Sequence, residues 1–493
     1  MNHPLKVLFD RTKEGSENDF ASFSNENDLN CQDLWNSSNS LADTLVDCGV
    51  YDDKRIILAG KNSRNTLISL VACWLAGGIV LPIEPNIDSD KKELIRRRFG
   101  ADYILDSENV TLTCCNDEKQ IELFWEEQKY NNGSGCYLKK INPGKASLCL
   151  YTSGSTGQPK GVLLSLEALG IGANNVIDSF KLLSDDLGFC VLPLTHINGL
   201  VTTLLAPLYS KSRVHFYQGN FFERMTEVFN EMEEKQCTWL SAIPMHYVAM
   251  NSFNKVNKYK LSLRFCRSAA APLSPKVLSN FEKKYKIPLI ETLGMTETAG
   301  QIFANPLPPE IHKPGSVGKP VNFEVIVIDA KGKEVTNGEI GEVAVRGNSM
   351  MLGYIDDHGT TAQSFINNRL KTGDLAKVDN DGYYYILGRK KHMAIFAGIN
   401  IPLGQIENLI TEYDEIFAVI CKARNHFLFG EVFDIYIEKS KGLDNSVINN
   451  EKYLRKIKKR LLPYLPSMQA IGNIIIMDEL PRTSLGKLDR SKL

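Results

Sequence analysis

From about Asp33 to Glu291, short apolar runs alternate with longer stretches whose apolar residues recur at helical spacing. That alternation predicts α/β layering, in which largely parallel sheets are covered by helices. Arg55–Leu58, Ala101–Leu105, Ser147–Tyr151, Leu187–Leu192, Arg213–Phe216 and Leu263–Ser268 read as buried strands. Between them Phe222–Lys235 and Pro275–Tyr285 read as helices, the second with proline in its first turn. Asn65–Ile83 is apolar enough to imitate a membrane span. Gly77-Gly78 and Pro82 divide it, which predicts a buried helix followed by a short strand.

The texture changes after Gly315. Short strands such as Glu324–Ile328, Gly341–Arg346 and Tyr383–Leu387, separated by Gly and Asp/Asn turns, predict a β-rich subdomain over about 315–388. A second shift follows Gly388. Phe417–Cys421, Val432–Ile437, a basic helix after Asn450 and Ile474–Met477 form a βαβ-like pattern of their own. The expected organisation is therefore a large N-terminal domain over 1–388 and a small, mobile α+β domain over 389–493. Asn131–Gly135 is the best candidate for a mobile surface loop.

Composition narrows the classes. The 493 residues are 43% hydrophobic and 23% charged, ordinary for a soluble globular protein, and too many for one typical core. A formal net charge of −1 argues against nucleic acid or an anionic membrane as partner, since both need a basic field. The eleven cysteines include no CxxC pair and no Cys/His spacing suited to zinc. Scattered through apolar contexts, they fit reduced thiols of a cytoplasmic enzyme. The N-terminal stretch lacks the apolar core of a signal peptide.

The chemistry begins at Leu150–Val162, where Thr152-Ser153-Gly154-Ser155-Thr156-Gly157 and Lys160 follow an apolar strand. Glycines let backbone N–H groups approach an anion closely, hydroxyls add donors, and the lysine adds a positive charge. This is a polyphosphate cradle without the Walker spacing. Four more segments join it. His196 follows a strand's carboxyl end, where open α/β sheets bind ligands, although a lone histidine is as often structural. Thr296 can donate to a phosphate and Glu297 offers a hard oxygen for Mg²⁺. Asp374 could accept both hydroxyls of a ribose, and Lys487 sits on a Gly-containing loop near the C-terminus. Singly, each of these has a plain reading as a turn or surface residue.

Together they resemble the ANL superfamily of adenylate-forming enzymes: acyl-CoA synthetases, peptide-synthetase adenylation domains and luciferases. The resemblance runs from about Leu45 to Lys487 and takes in Ala72–Gly78, Gly338–Gly347, Gly353-Tyr354, Gly373-Asp374-Leu375, Asp381-Gly382-Tyr383 and Gly388-Arg389. It implies that an acid and MgATP give an acyl-adenylate and pyrophosphate, after which a thiol captures the acyl group. It implies that Thr152 to Lys160 hold the β- and γ-phosphates, Thr296 the α-phosphate, Glu297 the Mg²⁺, and Asp374 with Arg389 the ribose. Ala271 and Leu293 fall on the nucleotide side, and Lys487 bridges the substrate carboxylate and the α-phosphate. Ser241, His246, Ala269, Ala270, Gly294 and Met295 line the acyl pocket with His196. Rotation about a hinge after Gly388 withdraws Lys487 for the second half-reaction.

Three departures matter. Leu293 stands where the family commonly has an aromatic residue against adenine. His392 stands at the usual Asp or Lys hinge, offering a pH-sensitive rotation against the plainer reading that any polar residue serves. Over Met393–Glu407, Pro402 is one place early and Gln405 replaces a glutamate, which leaves a carrier-protein phosphopantetheine open as acceptor beside CoA. Thr195-His196-Ile197 lacks the Asp that holds a substrate ammonium, so a non-amino carboxylic acid is favoured. The competing readings are a stand-alone enzyme loading an acyl or aryl carrier protein, a luciferase-like oxygenase, and an inactive nucleotide-binding homologue.

Overall fold

The computed structural model describes residues 3–14, 19–123, 137–152, 159–254, 258–440, 450–482 and 488–493. Asn131–Gly135 lies outside them. A nine-stranded sheet is parallel through its centre, where Arg213–Phe216, Leu187–Cys190, Trp239–Ala242, Phe265–Ser268 and Leu289–Met295 lie side by side in that order. An eight-stranded sheet is likewise parallel over Ala146–Thr152, Ile79–Ile83, Arg55–Ala59 and Tyr103–Asp106. Both sheets place strand ends, and so loops, along common edges, which is where such folds bind ligands. Asn65–Ile83 becomes the buried helix Arg64–Leu75 and the strand Ile79–Ile83. Among the described residues no helix is long and apolar enough to cross a membrane.

Two elements depart from expectation. The helix of Phe222–Lys235 begins later, at Met225, because Asn220 Oδ1 accepts the Phe222 and Glu223 N–H groups and holds a turn there. The apolar run Ile287–Ile290 reads as a strand that stops before Glu291, and the strand goes further. It runs over Leu289–Met295 and pairs antiparallel with Gly300–Ala304 through a bulge at Leu293/Gly294. A Cβ on Gly294 would lie 2.3 Å from the Gly300 carbonyl oxygen, so only glycine permits this hairpin.

Within residues 315–388, Phe323–Ile328, Gly341–Gly347, Arg369–Val378 and Tyr384–Arg389 form an antiparallel sheet, while Lys319–Pro320 and Gly353–Tyr354 pair into the two larger sheets. Beyond it, Ala394, Phe396, Ile406, Val419, Ile435 and Ile457 belong to a hydrophobic cluster drawn wholly from residues 394–471. The strand Gly430–Lys439, the helix Glu451–Leu461 and the parallel strand Ile471–Met477 supply the βαβ unit there. Gly388, at φ +137°, packs against Gly404: a Cβ on Gly404 would sit 2.8 Å from the Gly388 Cα. Backbone therefore meets backbone at the junction, with no side chain between.

Candidate functional site

The phosphate segment is held by its stems. Thr152 ends the strand Ala146–Thr152 and pairs directly with Lys160, which opens Lys160–Ser165. Ser153, Gly154, Ser155, Thr156 and Gly157 lie outside the described residues, as does Lys487. The Lys160 ammonium stands 5.0 Å from the centre of the Tyr354 ring. The Tyr354 hydroxyl donates to Glu297 Oε1 at 3.1 Å, and the Met351 N–H donates to the Glu297 carbonyl at 2.8 Å. Gly353–Tyr354 itself pairs with Lys160–Ser165, so one short strand ties the phosphate segment to the metal-ligand candidate. Thr296 and Glu297 occupy the single 3₁₀ turn that reverses the chain between Leu289–Met295 and Gly300–Ala304.

The ribose candidates meet on neighbouring strands. Asp374 and Arg389 are cross-strand partners, their side chains joined at 2.8 Å, and Arg389 Nη1 also donates to the Thr372 carbonyl at 2.9 Å. Burial pushes the Asp374 carboxyl up to about 6; Arg389 opposes the rise, while Glu297 and Glu342 add to it. Those three carboxylates thus share one field. Lys390 answers Glu342 at 2.8 Å. Burial, then the charges of Arg389, Arg490 and Lys160, hold Lys391 below the usual lysine range. The result is a cluster of cations and acids drawn from separate elements.

Burial, with Arg490, Lys391 and Arg389 around it, pushes the His392 imidazole down to about 4, which weighs against a charge change at this position near neutrality.

The acyl-side candidates gather beneath. Asn62 accepts from the Leu194 N–H at 2.9 Å and donates to the Leu192 carbonyl at 2.8 Å, fixing the loop that carries His196. Ser241 is fully buried and accepts from Arg267 Nη1 at 3.0 Å. Gly294 lies directly across from Gln301, and Met295 across from Gly300. Ala269, Ala270 and Ala271 form the loop after Phe265–Ser268, with Ala270 at φ +69°. His246 is less central. Its ring packs on Phe221 at 4.5 Å and Phe222 at 4.9 Å, and burial pushes it down to about 4. Leu293 is half-buried on the Leu289–Met295 strand.

Glu291 anchors the alanine loop. Its Oε1 accepts from the Leu273 N–H at 3.1 Å, whereas Oε2 is buried without a partner among the described residues. Burial pushes this carboxyl up to about 8, against the N–H groups of Leu273 and Gly315. A folded pKa above the unfolded value means the native state holds the extra proton, so stability falls as pH rises from about 4.5 to about 8. Glu291→Gln should therefore raise Tm more at pH 8 than at pH 5, read by thermal denaturation at both values. An equal shift at both would contradict the buried, protonated carboxyl.

Sequence reading passed over Tyr354's hydroxyl, Glu342, Lys391 and Arg490. Tyr354 and Glu342 lay within the motifs that carry the resemblance, without a role of their own; Lys391 follows Arg389 by two residues, and Arg490 comes from the C-terminal segment. With this geometry in place, the comparison with known proteins decides the family. Residues 9–355 match the family described as AMP-binding enzyme. The chain belongs to that family. It is 33% identical over 363 residues to a sulfoacetate–CoA ligase of Cupriavidus necator, covering 72% of this chain and 68% of that protein. It is 30% identical over 466 residues to an oxalate–CoA ligase of Arabidopsis thaliana, covering 90% and 89%. Among solved structures, an anthranilate CoA ligase in complex with anthranoyl-AMP superposes with a TM-score of 0.85 at 20% identity, over 100% of this chain and 96% of that one. The ANL resemblance read from the motifs and the α/β architecture both hold.

Proposed function

We propose that this chain activates a non-amino carboxylic acid with ATP, releases pyrophosphate, and passes the acyl group to the thiol of CoA. What carries the reading is that Tyr354 joins Lys160 to Glu297, while Asp374, paired with Arg389, lies in the field of Glu297. In this reading Lys160 and the segment before it hold the β- and γ-phosphates. Thr296 contacts the α-phosphate, and Asp374 with Arg389 fixes the ribose. Glu297 fits Mg²⁺: it is a buried hard-oxygen ligand, and among the described residues no three-carboxylate cage competes with the phosphates for the ion. When bound, Mg²⁺ neutralises phosphate charge and polarises the leaving group. Lys487 neutralises the repulsion between the acid's carboxylate and the α-phosphate as they meet.

In the same reading, residues 1–388 form the adenylating domain and 389–493 a mobile one. The Gly388–Gly404 contact suits a hinge, since no interlocked side chains must be pulled apart there. The relatives are named as ligases of CoA, and the acids in two of those names, sulfoacetate and oxalate, each bear a second acidic group. Supplying ATP, Mg²⁺, acid and either CoA or a phosphopantetheinylated carrier protein separates the acceptors by mass spectrometry. Acyl-CoA is the expected product. Acylation of the carrier with CoA left free would instead favour the carrier-loading reading, for which Pro402 and Gln405 are the features.

A further inference from the structure

Arg267 is a feature of the acyl side that the ligase reading leaves unexplained. It lies on the central strand Phe265–Ser268 and is 2% exposed. Nη1 donates to Asn198 Oδ1 at 2.6 Å and to Ser241 Oγ at 3.0 Å, and Nε donates to Gln301 Oε1 at 3.2 Å. Nη2 makes no bond with the described residues, and no described carboxylate pairs with this guanidinium. Burial alone pushes it down to about 10. A buried charge is costly unless an opposite charge balances it.

Other arginines here are balanced. Arg482 meets Glu438 at 2.7 Å, Arg264 meets Asp186 at 2.6 Å, and Arg424 meets Asp434 at 2.9 Å. Arg11, also buried, donates to the carbonyls of Pro207, Leu208 and Ser212 at the negative end of the helix Ala206–Ser210. Arg267 has only neutral side-chain oxygens. A purely structural cross-link between Asn198, Ser241 and Gln301 needs donors but no charge, and an amide or hydroxyl would serve at less desolvation cost.

The surroundings say what the missing charge is. Ser241 is both a candidate pocket residue and the cross-strand partner of Arg267, and Gln301 lies across from Gly294, another candidate. Asn198 follows His196 by two residues, as Ala269 follows Arg267. Gln301 is itself oriented, its Nε2 donating to Ser179 Oγ at 2.7 Å, so its oxygen is turned to the guanidinium. With Asn198 Oδ1 taken by Arg267, the Asn198 Nδ2 is left as a buried donor with no partner among the described residues. Unpartnered donors on two residues that are bonded to each other suit an acceptor-only group, an anion, and not an ammonium or an alkyl tail.

We propose that the acid carries a second anionic group, a carboxylate or sulfonate, and that Arg267 is the specificity residue that receives it. The inference rests on the ligase reading and names its substrate class: the carboxylate to be activated faces the α-phosphate, while the second anion completes the Arg267 pair. Asn198 Nδ2 adds a hydrogen bond to the same group.

Pyrophosphate release with matched acids tests this on the intact chain: malonate against malonamate, succinate against succinamate, and sulfoacetate against methylsulfonylacetate. Wild type should prefer at least one dianion to its neutral partner by about 10²-fold or more in kcat/KM, because the neutral partner leaves a buried charge unpaired. Arg267→Gln should collapse that ratio towards one, and Arg267→Lys should keep part of it. A thermal shift with AMP controls for folding, and should Arg267→Gln fail it, the wild-type ratio and Arg267→Lys still decide. Neutral partners turned over as well as dianions by wild type would overturn the inference while leaving the ligase reading intact. So would a variant that slows both members of each pair equally. No pyrophosphate with any acid, in this set or among aryl and medium-chain acids, would overturn the ligase reading and this inference with it.

Discussion

Lys487→Ala should lower acid-dependent pyrophosphate release by about 10²–10³-fold, with ATP binding nearly unchanged. The magnitude follows from what one well-placed electrostatic group contributes where charge develops between two meeting anions. In the proposed reading Lys160 holds the phosphates of ATP and Arg389 its ribose, so the ground-state complex should survive the loss. The second half-reaction should separate cleanly. Given preformed acyl-adenylate and CoA, the variant should make thioester at close to the wild-type rate, because in the proposed reading a hinge motion withdraws Lys487 for that step. Equal losses in both halves would place the lysine in folding and not in adenylation.

Glu297→Gln should cost adenylation about 10²-fold or more and shift the Mg²⁺ concentration needed for half-maximal pyrophosphate release upward. The amide oxygen still accepts from the Tyr354 hydroxyl, so the packing of the 3₁₀ turn is retained. Removing the charge also relieves its repulsion with Asp374, whose carboxyl it helps push up. Tm should accordingly hold or rise while activity falls, and a Mg²⁺ titration beside a melting curve reads both. An unchanged Mg²⁺ dependence would remove Glu297 as the metal ligand.

The strand and helix order was legible because burial on both faces leaves continuous apolar runs that need no partner to be recognised. Pro275–Tyr285 keeps its sequence-read bounds for another reason: proline marks its first turn, and the residues it buries, Leu278 and Phe281, recur at helical spacing. Glu291–Met295 was harder, since Thr292 and Gly294 look like loop residues until Gly300–Ala304 pairs with them. The site divides the same way. Thr152, Lys160, Glu297, Asp374 and Arg389 sit in local motifs, and a spacing can be read along a chain. Glu342, Lys391 and Arg490 act across elements far apart in sequence, and no spacing records that. Arg267 stands two residues before the acyl-pocket candidate Ala269, yet its chemistry depends on the absence of a carboxylate partner among the described residues, which only packing reveals.

Acid-dependent exchange of labelled pyrophosphate into ATP is the most direct test of the central claim, run across short, dicarboxylic, aryl and medium-chain acids without any thiol present. The account predicts exchange that requires Mg²⁺ and one class of acid, proceeds without CoA, and is lost in Lys487→Ala. ATP bound by the protein with no exchange for any acid, or ADP and phosphate formed in place of AMP and pyrophosphate, would contradict it.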